Sequence, residues 1–327
     1  MPRLDILGLP SLTPSVLASF AAHGILSVED FLVSENTPKL DETRSEAQRQ
    51  AILDLVDYLE QQSWGFRTTW RMRQELKARG QQYLPTGCES LDKLLEGGLR
   101  EGTVTELVGG SSSGKTQVCM QVAANVSYGC RAMVGYVDTC HSFSATRLSH
   151  MLGGLVGGRD ASQRRAGAAD EIGEAMKSVL RYSIFDIFAM LSLLNQIHIN
   201  LCAQVQVGEQ PKTLRLLIVD CASSVIAPIL GGTQGHALMV SMGIILKKLA
   251  LENHLAVLIT NHTVGGEGGQ PKPALGETWK AIPNVRLHFV RDWDSNLCHV
   301  SVMKHATMSC NRQTAFRITR TGLKPAF

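Results

Sequence analysis

The chain has 327 residues, of which 44% are hydrophobic, and a formal net charge of +3. This length exceeds one typical domain and can bury a full core. No apolar run of about 18 residues and no charged-then-apolar leader is present, which disfavours membrane spanning and secretion. The eight cysteines include no C-x-x-C pair, which argues against a structural zinc site and a disulfide framework. We therefore expect a soluble, two-domain protein of the cytosol or nucleus.

The first part of the chain has apolar residues at helical spacing. The pattern predicts helices over 14–23, 27–33 and 42–61, and Ser27 is expected to cap the second of these. A small all-helical N-terminal domain is thus predicted over residues 1–63, followed by a basic linker over 64–84 and a larger core domain over 85–327.

From residue 86 onward, apolar β-branched runs alternate with helical patterns. Strands are predicted over 104–108, 133–138, 179–184, 214–220 and 255–261, and helices over 115–128, 144–152, 186–203 and 235–253. Such alternation predicts an α/β fold with a central, mainly parallel sheet and helices on both faces. After Pro271 the helical patterns stop, and antiparallel strands are predicted over 284–291, 297–303 and 314–320. The Gly-rich intervals 153–173 and 263–270 are expected to be mobile surface loops.

Charge is distributed unevenly along the chain. Residues 1–65 carry ten acidic side chains and four basic ones, whereas 66–82 carry five basic side chains against Glu75 alone. Residues 304–327 carry five basic side chains and no acidic one. Basic clusters are typical of a nucleic-acid partner, but a solvated linker and a solvated hairpin explain them equally well. An acidic unit beside a basic one also suits a protein contact.

The segment VTELVGGSSSGKT, from Val104 to Thr116, places a strand, a glycine-rich turn and a helix start in succession. Its pattern matches the phosphate-binding loop, in which backbone N–H groups surround the phosphates of a nucleotide. Lys115 is predicted to reach the β- and γ-phosphates of ATP, and the Thr116 hydroxyl to ligate Mg²⁺. The predicted nucleotide-binding residues of this loop are Gly109, Gly110, Ser111, Ser112, Ser113, Gly114, Lys115, Thr116 and Gln117.

An acidic residue at the end of another predicted strand supports this site. The run LRLLIVD, from Leu214 to Asp220, is apolar except for Arg215 until its final acid. Such a run is typical of a strand covered on both faces, whose carboxyl end is where ligands bind in open α/β sheets. Alone, a terminal Asp would more often begin a turn, but beside the loop it is predicted to complete the Mg²⁺ shell.

From Leu84 to the end, the chain resembles the core of the RecA-type recombinase family in its eukaryotic form. The resemblance rests on five segments in the family's order, which read TGCESLDKLLEGGLREGTVTELVGGSSSGKTQVC, GYVDT, LLIVDCASSV, LAVLITNHTV and KPALGETW. It implies a RecA-like P-loop NTPase core, and the acidic helical unit resembles the small domain that precedes this core. The GGSSSGKTQVC, TNH and KPALG segments most resemble the D-type accessory paralogues of homologous recombination repair.

The resemblance also implies roles for residues outside the loop. Arg147, in HSFSATRL, matches a family arginine near the adenine base. Asn261 and His262 stand where the family has an Asn-Gln pair that senses the γ-phosphate and signals to the DNA-binding loops. The histidine is a departure that is expected to alter this coupling. Without the resemblance, a polar pair at the end of a buried strand is more often a hydrogen-bonded strand end.

Cys140 marks a larger departure from the family. Catalytically strong members have a glutamate here, which orients the water that attacks the γ-phosphate. A thiol cannot orient water as a carboxylate does, and losing this positioning costs orders of magnitude in rate. The His141 imidazole, or a carboxylate from elsewhere in the chain, is left open as a substitute, so the catalytic residue stays unassigned. The sequence predicts an ATP-binding switch whose turnover is slow.

Two loops of this fold would face DNA. The first, residues 229–236, is glycine-rich, includes Gly231 and Gly232, and has no Lys or Arg. The second, residues 263–279, includes Lys272 and is followed by Lys280. Single-stranded DNA usually needs a basic groove with stacking surfaces, so contact is predicted to rest on these lysines and the C-terminal basic strands. Trp279 is expected to pack beneath its loop rather than to stack on a base.

Together these features predict an accessory recombinase paralogue of the nucleus. It would bind ATP and Mg²⁺, join other recombinase paralogues in a heteromeric complex with Tyr83 as a docking aromatic, bind single-stranded or branched DNA and assist loading of the main recombinase. Any ATPase activity would be weak and stimulated by DNA. Two alternatives stay open: an autonomous DNA-dependent ATPase that performs strand exchange, and a protein scaffold stabilised by nucleotide.

Overall fold

The computed structural model describes residues 3–33, 45–62, 83–157, 168–207, 213–266 and 271–326. The chain divides into two compact units, Met1–Gln81 and Gln82–Phe327. The predicted linker over 64–84 lies outside the described residues, apart from Tyr83 and Leu84. Among the described residues, no helix is both long and apolar enough to cross a membrane.

The first unit is helical, as the sequence predicts. Its helices are α1 (Pro14–Ala22), α2 (Val28–Val33) and α3 (Glu46–Gln62). The predicted Ser27 cap of α2 is confirmed: its hydroxyl accepts a hydrogen bond from the Asp30 N–H at 3.1 Å, while the Asp30 carboxylate accepts one from the Ser27 N–H at 2.9 Å. This reciprocal pair fixes the start of α2. A separate core of Leu, Val, Ile, Phe and Ala side chains joins these helices.

The second unit alternates strands and helices. The strands are β1 (Tyr83–Leu84), β2 (Leu99–Arg100), β3 (Val104–Gly109), β4 (Met133–Asp138), β5 (Val179–Ser183), β6 (Leu214–Asp220), β7 (Ala256–Gly265), β8 (Pro271–Pro273), β9 (Val285–Asp292), β10 (Leu297–Lys304), β11 (Gln313–Thr319) and β12 (Gly322–Pro325). The helices are α4 (Glu89–Leu94), α5 (Lys115–Gly129), α6 (Ala145–Gly157), α7 (Ala168–Lys177), α8 (Ile187–Val207), α9 (Ala222–Ile226), α10 (Thr233–Asn253) and α11 (Gly276–Lys280).

One large sheet organises this unit, in the strand order β12-β11-β10-β9-β3-β7-β6-β4-β5, with β8 paired to the end of β7. The pairs from β9 through β3, β7, β6 and β4 to β5 are all parallel. The strands from β9 to β12 are antiparallel. The predicted fold class, a mainly parallel sheet closed by antiparallel strands, is confirmed.

The sheet is covered on both faces because its central strands point buried apolar residues to both sides. In β6, Leu216 and Ile218 face one core, and Leu217 and Val219 face the other. Helices α5, α6 and α7 pack over the first face, and α8, α9, α10 and α11 over the second. Successive strand side chains point to opposite faces, so a continuous apolar run is needed when both are buried.

Three expectations about the loops were wrong. Helices do not stop after Pro271, since α11 follows. The interval 153–173 is in part helical, because α6 continues to Gly157 and α7 begins at Ala168; residues 158–167 lie outside the described part. Residues 233–236 of the first predicted loop belong to α10. The glycines of this interval predict loops, but at Gly154 a glycine allows close helix packing. A Cβ there would lie 2.3 Å from the carbonyl oxygen of Thr321, so only glycine lets α6 approach this carbonyl.

Candidate nucleotide-binding site

A cavity of about 400 Å³ opens at the carboxyl ends of the central parallel strands. The strand register brings distant segments to this edge: Gly109 of β3 pairs with His262 of β7, and Asp138 of β4 pairs with Asp220 of β6. The cavity is lined by Ser111, Ser112, Ser113, Gly114, Lys115, Thr116, Gln117, Cys140, Ser142, Asp220, Cys221, His262, Arg291 and Ile318. The structure therefore brings most of the predicted nucleotide residues together.

Two glycines give the loop its shape. A Cβ on Gly109 would lie 2.4 Å from the carbonyl oxygen of Phe289, so only glycine lets β9 approach so closely. Gly114 has a φ of 103° and caps the start of α5. This left-handed conformation favours glycine. It directs the N-terminus of a 15-residue helix at the cavity, where its N–H groups and dipole favour an anion.

Lys115 lies at the base of this loop and is buried. Its ammonium donates hydrogen bonds to the carbonyl oxygens of Gly109 at 2.8 Å and Gly110 at 2.7 Å, and to the Ser113 hydroxyl at 3.2 Å. Burial lowers the pKa of Lys115 below its ordinary value. The ammonium is therefore held among loop oxygens at the N-terminus of α5, where it is placed to bind a phosphate group.

Asp220 and Thr116 face the same cavity from different elements. One Asp220 oxygen accepts hydrogen bonds from the hydroxyls of Tyr136 at 2.9 Å and Ser142 at 3.1 Å, and the other accepts one from Thr260 at 2.6 Å. These hydroxyls fix the carboxylate orientation and leave acceptor capacity, since a carboxylate has about four lone-pair sites. A carboxylate and a hydroxyl are ligands that Mg²⁺ accepts beside nucleotide phosphates, so the residues fit the predicted metal.

The predicted γ-phosphate pair is separated by the structure. His262 lines the cavity, whereas Asn261 is fully buried and its Nδ2 donates to the Glu106 carboxylate at 2.9 Å. Successive residues of a strand face opposite sides of a sheet. The same Glu106 accepts a hydrogen bond from Trp279 Nε1 at 2.8 Å and forms an ion pair with Arg286. Trp279 is thus buried beneath its loop, as predicted.

Cys140 follows β4 and lies in the cavity wall near His262. A hydrogen bond with His262 lowers the pKa of the Cys140 thiol, and hydrogen bonds with Cys140 and Cys221 raise the pKa of His262 to about 10. An imidazole and a thiol therefore lie at the position for which the sequence resemblance implies a carboxylate in catalytically strong members. His141 does not line the cavity; its ring packs on Phe185 with the ring centroids 4.4 Å apart.

Arg147 is engaged with the protein. Its guanidinium donates to Gln117 Oε1 at 2.7 Å and to the carbonyl oxygens of Arg320 at 2.6 Å and Thr319 at 2.7 Å. It therefore ties α5 to the turn between β11 and β12. Sequence reasoning missed Arg291 and Ile318 of the cavity wall, since they lie on strands that have no nucleotide motif.

The predicted DNA-contacting residues are all exposed. Gly231 and Gly232 form the short turn before α10. Lys272 lies on β8 opposite Val264 of β7, and Lys280 ends α11, where its ammonium is 3.3 Å from Glu277. The ammonium groups of Lys272 and of the Glu277-paired Lys280 are accessible to solvent.

Known proteins resemble this chain in sequence and in fold. A family model described as Rad51 matches residues 66–155. "DNA repair protein RAD51 homolog 4" of Bos taurus is 41% identical over 207 residues, which cover 62% of this chain and 60% of that protein. "Probable DNA repair protein RAD51 homolog 4" of Dictyostelium discoideum is 32% identical over 226 residues, which cover 62% of this chain and 64% of that protein. The chain thus spans less than two thirds of the length of these relatives.

A solved structure described as the crystal structure of the RadB recombinase has a similar fold. It superposes with a TM-score of 0.58, covers 75% of this chain and 100% of its own, and is 21% identical. This likeness shows a shared fold over that part of the chain.

Proposed function

We propose that this chain, which matches a Rad51 family model over residues 66–155 and is similar to RAD51 homolog 4 proteins, is an ATP-binding accessory paralogue in homologous recombination repair. It binds ATP with Mg²⁺ in the cavity described above, acts in the nucleus within a heteromeric complex of recombinase paralogues, binds single-stranded or branched DNA and assists loading of the main recombinase. The bovine and Dictyostelium relatives are described as DNA repair proteins, which supports the repair role.

The cavity wall is the observation that carries this proposal. Lys115, Thr116 and Asp220 have the chemistry to hold a triphosphate and its metal, whereas Cys140 offers no carboxylate to orient an attacking water. Such a site favours tight binding with slow hydrolysis, and a bound nucleotide that sets conformation. The exposed Lys272 of β8 and Lys280 of α11 support the DNA contact.

The test compares ATP binding with ATP turnover in the purified chain. Equilibrium binding of a fluorescent ATP analogue with Mg²⁺ and release of phosphate, with and without single-stranded DNA, are measured for wild type, Lys115→Ala and Cys140→Glu. Lys115→Ala removes charge-assisted hydrogen bonds of about 1.5–3 kcal/mol, so affinity should fall about 10–100-fold. Cys140→Glu should raise turnover above a slow wild-type rate.

Lys93→Ala is the matched control. Lys93 is exposed and forms a helical ion pair with Glu89 at 2.7 Å, so its loss should leave nucleotide affinity unchanged. Fast, strongly DNA-stimulated turnover of the wild type would contradict the proposal and favour an autonomous recombinase. Unimpaired assembly and repair by a folded Lys115→Ala variant would favour a scaffold.

A further inference from the structure

Arg291 of β9 places a guanidinium in the wall of the nucleotide cavity. Strand β9 pairs with β3 up to Gly109 and Phe289 and then extends past the end of β3. Arg291 is therefore carried beyond β3, and it lines the cavity together with residues 111–117 of the phosphate loop. Asp220 lies on β6, which is on the other side of β3 in the strand order. The sheet thus separates this guanidinium from the carboxylate of the same cavity.

The charge of Arg291 has no acidic partner. Within the described part of the chain, Arg291 forms no ion pair, and its Nε is buried without a hydrogen-bond partner. Of the residues that line the cavity, only Asp220 is acidic, whereas Lys115 and Arg291 are both cationic. A guanidinium has five N–H donors and always keeps its charge, so a half-buried one favours an anionic partner. The cavity wall therefore suits an anion on the β9 side as well as at the loop.

Two contacts with the turn between β9 and β10 hold the guanidinium in place. Arg291 Nη2 donates a hydrogen bond to Asn296 Oδ1 at 2.7 Å. Arg291 Cζ also lies 4.5 Å from the ring centroid of Trp293, whose side chain is 66% exposed. A cation over the face of an indole is attracted by the ring quadrupole. The turn therefore fixes the guanidinium at the edge of the cavity.

We propose that Arg291 binds a phosphate group of the nucleotide and that Trp293 positions its guanidinium for this contact. The inference rests on the proposed function, since it assigns two further residues to the same cavity. A guanidinium offers paired N–H groups in one plane, which match two oxygens of a phosphate. A contact with the uncharged base or sugar would leave the charge of Arg291 uncompensated, so a phosphate is the group that fits.

The test measures equilibrium binding of the fluorescent ATP analogue with Mg²⁺ to the full chain, without DNA. Arg291→Gln should lower the affinity about 10–100-fold, which is the effect of losing a charge-assisted hydrogen bond. Arg291→Lys should recover part of this loss, because it keeps the charge but not the planar fork. Unchanged affinity in a folded Arg291→Gln protein would overturn the proposal.

Arg317→Gln is the matched control. Arg317 is exposed on β11 and does not line the cavity, although the next residue, Ile318, does. Successive residues of a strand face opposite sides of a sheet. Arg317→Gln makes the same change of net charge and should leave the affinity unchanged. An equal loss in both variants would reduce the effect of Arg291 to general electrostatic attraction and would overturn the direct contact.

Inorganic tripolyphosphate identifies the part of the nucleotide that Arg291 contacts. It should displace the fluorescent analogue from the wild type, and Arg291→Gln should weaken tripolyphosphate and ATP by the same factor. A loss for ATP alone would overturn the phosphate contact. A wild type that does not bind ATP would contradict the proposed function together with this inference. Weaker binding by Lys115→Ala but not by Arg291→Gln would overturn this inference alone.

A double-variant comparison tests the positioning role of Trp293. Trp293→Ala should lower the affinity about 2–5-fold, the size expected for an exposed cation–π contact. Trp293→Phe should recover most of this loss, because it keeps an aromatic face. In an Arg291→Gln protein, Trp293→Ala should cause no further loss, since the ring acts through the guanidinium. An equal loss in both backgrounds would overturn the positioning role.

Discussion

Glu106 is the buried acid on which the centre of the second unit depends, and Glu106→Gln tests that dependence. Its side chain is fully buried on β3. One oxygen accepts the hydrogen bonds of Asn261 and Trp279, and the other pairs with Arg286, its register neighbour on β9. A glutamine keeps the shape and one acceptor, but it turns an N–H donor toward the guanidinium and removes the compensating charge.

The expected cost follows from burial. Arg286 is only 5% exposed, and its Nη2 has no hydrogen-bond partner among the described residues, so the ion pair is the guanidinium's main compensation. Removing one partner of a buried pair costs about 3–5 kcal/mol. That is a large share of the roughly 5–15 kcal/mol that separate folded from unfolded domains. Urea unfolding followed by circular dichroism should show this loss in the free energy of unfolding.

Two comparisons make the result decisive. Glu277→Gln removes an acid that is 89% exposed and 3.3 Å from Lys280, and it should change stability by less than about 0.5 kcal/mol. Arg286→Met added to Glu106→Gln removes the uncompensated charge, so the double variant should be more stable than Glu106→Gln alone. A loss below about 1 kcal/mol for Glu106→Gln, or no recovery in the double variant, would refute the reasoning.

Two further predictions concern the ionisation of one strand-end acid and the packing of one helix. Burial raises the pKa of the Asp138 carboxyl, but hydrogen bonds from backbone N–H groups and from the Arg181 guanidinium outweigh burial and hold this pKa below its ordinary 3.8. The folded-state pKa is the lower one, so this stabilisation is complete above pH 3.8 and is lost as the pH falls through the folded-state value. From about pH 5 to about pH 3, wild type should lose up to about 1 kcal/mol more unfolding free energy than Asp138→Asn; equal losses would contradict this. In α10, a Cβ on Gly235 would lie 1.7 Å from the carbonyl oxygen of Ile229. Gly235→Ala should therefore cost about 1–3 kcal/mol in thermal or urea unfolding, whereas Gly173→Ala, with open space around it, should be neutral or stabilising by up to about 1 kcal/mol.

The strands and the phosphate loop could be predicted because their signals are local. Within LRLLIVD, the four successive residues from Leu216 to Val219 are apolar, so burial on both faces is visible in the run itself, and β6 spans the predicted 214–220. The phosphate-loop pattern is likewise contained in one short segment, and its residues Ser111 to Gln117 all line the cavity. Short helices such as α9 and α11, of five residues each, offer too little sequence for a helical period to appear.

The remaining parts of the site depend on long-range contacts. Asn261 was expected at the phosphates, but Glu106 on the neighbouring strand holds its amide. A signal for this exists, since a Glu inside the apolar strand VTELV must find a buried partner. Arg291 and Ile318 reach the cavity because β9 pairs with β3 and the antiparallel strands follow. Strand order cannot be derived from local pattern, so these residues carry no signal in the sequence.

The position of β3 in the sheet affects how the protein folds while it is being synthesised. The phosphate loop lies early in the unit, directly after β3, yet both strands that flank β3 are made much later: β7 over Ala256–Gly265 and β9 over Val285–Asp292. Until then, an apolar central strand has no neighbour and is open to wrong pairing. The nucleotide cavity therefore closes only after β9 has been made, and a chain terminated before β9 should aggregate rather than bind nucleotide.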